Sequence, residues 1–124
     1  SLKEDLKIHI CWEEWLNSKR IIDKCPDMVR IPLNDSGDTA LHLAVSQGNL
    51  EIVNGLVECM RPEDMVIPNS DGMLPLHLAA LRGSNRMVDI LSSNKVLDIM
   101  DFKDIERLFL MTVRFNMFGK CKTN

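Results

Sequence analysis

Apolar residues recur at helical rather than strand spacing along most of this chain, and the pattern then repeats itself. Leu41, Ala44 and Val45 share one face of a predicted helix, and Leu76, Ala79 and Ala80 rebuild that face 35 positions later. Each stripe is followed by a second one. It reads Ile52, Val53, Leu56 and Val57 in the first copy, and Met87, Val88 and Leu91 in the second. Polar breaks separate the two stripes of each copy: Gly48-Asn49 and Gly83-Ser84 end one helix and cap the next.

The segment in front of each copy is also repeated. Asn34-Asp35-Ser36-Gly37 and Asn69-Ser70-Asp71-Gly72 are turn signals, and glycine at the fourth position permits a positive φ. Thr39 stands where a hydroxyl caps the first helix, with Ala40 at its first position. In the second copy Pro75 takes that position, where its missing N–H is harmless. Leu74 replaces the capping hydroxyl, so this helix is predicted to be less well capped. The repeated signature is thus Gly37, Thr39, Leu41, His42, Ala44 and Gly48, with Gly72, Pro75, Leu76, His77, Ala79 and Gly83.

A helical hairpin of this length cannot bury its apolar face alone, so further units are expected on both sides. Upstream, residues 2–12 and 14–24 read as two helices, with Ser1-Leu2-Lys3-Glu4 as a capping box and Cys25-Pro26 as a stop. Trp12 and Trp15 lie three apart; such a pair forms an exposed aromatic hot spot or, more often, closes the open end of the stack, which is the expectation here. Downstream, Asp101 to Asp104 cap a helix running through Ile105, Leu108, Phe109 and Met111 to Val113. Residues 118–124 are too short and polar to supply its partner helix, which leaves Phe109, Phe115, Met117 and Phe118 short of cover. The expected division is a divergent unit over 1–33, repeats over 34–67 and 69–94, and an incomplete unit over 95–124, in one all-α domain. Between the repeats, Pro62 followed by Glu63 and Asp64 reads as a short helical connector.

Composition narrows the function. The chain is 45% hydrophobic and 27% charged, with a net charge of −3, as in ordinary globular domains. Residues 34–60 carry four acids and no lysine or arginine, so no basic stripe awaits phosphates and nucleic acid is not an expected partner. Cys11, Cys25, Cys59 and Cys121 form no CxxC pair, and reduced thiols in a cytoplasmic protein are the simpler reading. The apolar run Leu108–Val113 is far short of the roughly 20 residues of a membrane span.

The Gly-x-Thr-Ala-Leu-His-Leu-Ala and Gly-x-Leu-Pro-Leu-His-Leu-Ala blocks resemble the ankyrin repeat. That resemblance implies an all-α solenoid of helix-turn-helix units with short turn or hairpin fingers. Cys25-Pro26-Asp27-Met28-Val29-Arg30 and Asp104-Ile105-Glu106-Arg107-Leu108-Phe109-Leu110-Met111-Thr112 are similar to segments of plant ankyrin-repeat proteins. Those proteins carry a C-terminal Pro-Gly-Gly membrane domain, absent from this sequence, and are linked to stress and defence signalling. The resemblance implies a protein–protein interaction module, not an enzyme, with a partner on the concave face of fingers and inner helices. The positions concerned are Asp35, Ser36, Asp38, Ser46 and Gln47, then Ser70, Asp71, Met73, Leu81 and Arg82.

His9, His42 and His77 fall at similar register and invite a metal reading, but no cysteine or carboxylate shares their period and none is expected to ligate a metal. The resemblance instead implies that the repeat histidines bond the turn backbone. A Cys59–His42 or Cys59–His77 nucleophile lacks an orienting third group and an oxyanion element, and no phosphate loop is present. No cofactor and no small-molecule substrate are expected. Met60, Met65, Met73 and Met87 suit core filling or an adaptable surface. The competing reading is a truncated fragment that self-associates through its uncovered last helix; a Cys/His-dependent enzyme is the third.

Overall fold

A computed structural model describes all residues except 94 and 124, and the side chains of all except 94 and 114–124. Among the described residues the chain is helical, with no strand. Helices α1 (Leu2–Cys11) and α2 (Trp15–Lys24) form a first hairpin, closed by a 3-10 turn at Pro26–Arg30. Helices α3 (Ala40–Gln47) and α4 (Leu50–Glu58) form the second, followed by a 3-10 turn at Pro62–Met65. Helices α5 (Pro75–Arg82) and α6 (Asn85–Leu91) form the third; a short α7 (Val96–Ile99) and a long α8 (Phe102–Thr123) complete the chain.

The helices build two layers. The first helices stack in the order α1, α3, α5, α8, and the second helices in the order α2, α4, α6. Between the layers runs one core, and the apolar stripes of the sequence fill it: Leu6, Ile10, Leu41, Ile52, Leu56, Leu76, Met87 and Leu91 are all buried. Each such side chain contributes about 1.5–3 kcal/mol by leaving water. The turns within hairpins are tight because Gly48 and Gly83 adopt φ of 73° and 71°, the left-handed region that ends a helix without a Cβ clash.

The first hairpin turns differently. Glu13, not a glycine, holds the positive φ of 60°, and α1 ends at Cys11. Trp12 therefore sits in the turn, 76% exposed, while Trp15 opens α2 and lies half-buried against Gly55 of α4. The two indoles do not act as one cap. The contact with Gly55 is tight: any Cβ at this position would collide with the Trp15 ring. Of the four methionines around the second repeat, Met60, Met65 and Met87 are buried in the core, and only Met73 is partly exposed.

Two features at the C-terminal end depart from the sequence reading. The period did not reveal α7, and α8 does not stop near Val113 but runs on to Thr123. The tail thus extends a helix rather than forming a stub beside it. Phe102, Phe109 and Leu110 of α8 are 77%, 64% and 56% exposed. Phe115, Met117, Phe118 and Cys121 lie outside the described side chains.

Candidate functional site

The two fingers, residues 33–38 and 69–73, are built by side chains that copy backbone hydrogen bonds. Asn34 accepts from the Asp38 amide at 3.0 Å through Oδ1, and the Leu33 amide donates to the Asp38 carbonyl at 2.7 Å. In the second finger the Asn69 Oδ1 accepts from the Asp71 and Met73 amides, both at 3.0 Å. Both asparagines occupy the same place in the 35-residue period, and both close an Asx-type turn.

Asp38 fastens one finger to the other. Its carboxylate accepts from Asn34 Nδ2 and from Asn69 Nδ2, each at 3.0 Å, and the Ser70 amide donates to the Ser36 carbonyl at 2.9 Å. Bonds to an ionised acceptor are stronger than neutral ones. Asp38, expected at the partner surface, is thus half-buried with both oxygens already accepting. We expect Asp38→Ala to lower stability by about 1–3 kcal/mol in urea unfolding, because two amide donors lose their acceptor. Asp35→Lys at the exposed tip is expected to change it by less than about 0.5 kcal/mol. Equal stabilities for the two variants would overturn the bracing role of Asp38.

The repeat histidines lock the fingers to the helices. His42 and His77 have no exposed surface. The Thr39 amide donates to His42 Nδ1 at 3.0 Å, and the Leu74 amide to His77 Nδ1 at 3.0 Å. The imidazole thus serves the Leu74 amide itself, a different donor from the first-turn amides that a hydroxyl at this position would accept from. With Nδ1 accepting, the ring proton resides on Nε2. From there His42 donates to the Met73 carbonyl at 2.8 Å, and His77 to the Asp104 carbonyl at 2.9 Å. Burial pushes the His42 imidazole below its ordinary pKa, so the ring stays neutral. Each imidazole therefore ties its own repeat to the one that follows.

The turn ends of the first helices carry a second row of links. Gln47 Nε2 donates to the Cys11 carbonyl at 3.0 Å, and Arg82 donates to the Ser46 carbonyl at 2.8 Å. Arg107 of α8 continues the row on the finger side, donating to the Gly72 carbonyl at 3.0 Å and reaching Met73 Sδ at 3.5 Å. Met73 stands one period after Asp38, so the second finger has no carboxylate to brace a third. Arg107 takes that edge instead. The spacing carried a signal for these links, since the residues they join lie close to one period apart.

Of the residues expected to meet a partner, Asp35, Ser36, Ser46, Ser70, Asp71, Leu81 and Arg82 are exposed, while Asp38, Gln47 and Met73 are half-buried. Leu81 is 60% exposed. Among the described residues no three His, Cys, Asp or Glu side chains gather as metal ligands would. Cys11, Cys25 and Cys59 are free thiols, and burial pushes the Cys59 thiol above its ordinary pKa, away from the reactive thiolate. No helix among the described residues is long and apolar enough to cross a membrane.

Comparison with known proteins gives the same architecture. A family model for ankyrin repeats in three copies matches residues 14–102. The chain is 36% identical over 59 residues to the ankyrin repeat-containing protein ITN1 of Arabidopsis thaliana, covering 48% of this chain and 10% of that protein. It is 34% identical over 71 residues to the ANK repeat-containing protein nipk-1 of Caenorhabditis elegans, covering 57% of this chain and 12% of that one. With protein phosphatase 1 regulatory subunit 12A of Mus musculus it shares 36% identity over 81 residues, 65% of this chain and 7% of that protein. The matches thus span a small part of each relative's length.

Proposed function

Because this chain belongs to the ankyrin-repeat family, we propose that it is a non-enzymatic protein-interaction module whose partner docks across the finger tips and the exposed ends of α3 and α5. The observation that carries this reading is the bracing of the fingers. Asn34, Asp38 and Asn69 hold the tips in place before any partner arrives, so Asp35, Ser36, Ser70 and Asp71 are presented without the entropic cost of ordering a loop. At the turn ends of α3 and α5, Ser46, Leu81 and Arg82 add an apolar anchor beside a guanidinium, with Gln47 next to Ser46, while Met73 stays with the second finger. A partner with a basic spot for the two aspartates and an apolar side chain for Leu81 fits this surface.

One relative bears the name of a phosphatase regulatory subunit, in keeping with a binding rather than a catalytic task. The segments Cys25–Arg30 and Asp104–Thr112, with the match to the Arabidopsis protein, support a place among plant ankyrin-repeat proteins of the Pro-Gly-Gly type, in stress or defence signalling and at work in the cytoplasm. The exposed Phe102, Phe109 and Leu110 favour a second reading, in which α8 is itself a contact surface for another copy.

The double variant Asp35→Lys/Asp71→Lys tests the first reading, and it spares Asp38 because that residue braces the fold. Proteins captured by the intact chain are expected to be lost by the variant, while its circular dichroism stays unchanged. Capture that survives both charge reversals in a folded variant would remove the finger tips from the interface.

A further inference from the structure

The second helices leave an open groove of about 490 Å³ between α4 and α6, lined by Leu50, Asn54, Arg86, Asp89 and Ile90. It lies apart from the finger tips and shares no residue with them. One repeat earlier the same position is filled: the Trp15 indole reaches from α2 onto Gly55 of α4. The period maps Trp15 onto Leu50 and Gly55 onto Ile90. A shorter side chain stands where the indole was, and a branched one where the glycine was, so the second slot is left open. Among the described residues the side chains of Asn54, Arg86 and Asp89 make no hydrogen bond and no ion pair with any other.

The chain also carries an exposed indole beside an exposed acid. Trp12 projects from the first turn at 76% exposure, followed by Glu13, which is exposed and has no ion pair among the described residues. We propose that this groove receives Trp12 of a second copy of the chain. The indole face would lie between Leu50 and Ile90. Its N–H would donate to Asn54 Oδ1 or the Asp89 carboxylate, and Glu13 would meet the Arg86 guanidinium. Two features single out this occupant. The pairing of a donor-bearing ring with an adjacent acid answers a groove that offers apolar walls, an acceptor and a cation. Phe102 is equally exposed, but it has no ring donor and is followed by Lys103, which would face Arg86.

The test is sedimentation equilibrium of the full chain from micromolar to high-micromolar concentration, with three surface variants. Wild type is expected to self-associate. Trp12→Ala removes the plug, and Asn54→Trp fills the groove with the chain's own indole; each is expected to weaken association by about tenfold or more. Trp12→Ala keeps an intact groove and Asn54→Trp keeps an intact plug, so an equimolar mixture of the two is expected to regain association. Circular dichroism establishes that each variant is folded. A wild type that stays monomeric throughout overturns the proposal, as does a Trp12→Ala variant that associates like wild type. Loss of association in Phe109→Glu alone, with Trp12→Ala unaffected, would place the contact on α8 instead.

Discussion

His42→Ala is expected to destabilise the fold by about 3–5 kcal/mol in urea unfolding. Three losses combine. The Thr39 amide, at a helix start, loses the Nδ1 acceptor that the Thr39 hydroxyl only shares, and a buried donor without a partner costs about 1–3 kcal/mol. The Met73 carbonyl loses the bond that ties the second finger to α3. The missing ring then leaves a cavity among fully buried neighbours. Against a total stability of about 5–15 kcal/mol, this is a large fraction. His77→Ala removes an equivalent ring, but its outward bond holds only Asp104 at the start of α8, so its cost is expected to be smaller. A His42→Ala cost below about 1 kcal/mol would show that the imidazole is a passenger.

The same ring predicts how acid acts. Burial lowers the His42 pKa in the folded state below its ordinary value, near 6.5. Above that pH the ring is neutral in both states and contributes no slope. As pH falls through the ordinary value, the unfolded chain takes up a proton that the folded chain refuses, and stability drops. The loss continues down to the folded pKa. Unfolding free energies between pH 7 and 5 are therefore expected to decline more steeply in wild type than in His42→Ala, and parallel slopes would contradict this account.

How far the fold was readable depends on the range of the interactions that make it. The paired helices of residues 40–91 follow from local signals, because apolar spacing, capping residues and Gly48 and Gly83 each act within a few positions. The break between α1 and α2 follows from the same spacing, but the joint capping by Trp12 and Trp15 does not occur, because Glu13, an ordinary residue, adopts the left-handed conformation that glycine usually signals. That single φ separates Trp12 from Trp15. The short α7 left no periodic mark, as four residues hold too few apolar positions. Asp38 shows a different limit. An aspartate in an Asn-rich turn reads as an exposed acid, and only the stacking of two fingers converts it into a brace. Once the stacking is known, a polar side chain and the side chain or backbone carbonyl about one period away become candidate partners. Asp38 with Asn69, Arg82 with Ser46, Arg107 with Gly72 and Arg30 with Asp64 all meet that condition.

The last of these pairs carries the second large effect. Arg30→Ala is expected to lower the urea unfolding midpoint clearly, although an arginine with 36% of its side chain exposed suggests a surface ion pair worth little. The difference lies in its partner. Asp64 is only 4% exposed, its Oδ2 accepts from the Arg61 amide at the start of the 3-10 turn, and its Oδ1 accepts from Arg30 at 3.0 Å. Removing Arg30 leaves a buried carboxylate oxygen uncompensated, which is the expensive half of a broken pair. Asp27 also contacts Arg30, but it is solvent-exposed and its loss can be made good by water. Lys19 and Asp23 supply the control: both side chains are about half exposed, and Lys19→Ala is expected to leave the urea unfolding midpoint essentially unchanged. Arg30→Met/Asp64→Asn removes both charges together while keeping an acceptor for the Arg61 amide, and it is expected to be more stable than Arg30→Ala because no buried charge is stranded. A double variant that costs the sum of its two single changes would mean that the 3-10 turns stack through their apolar residues alone.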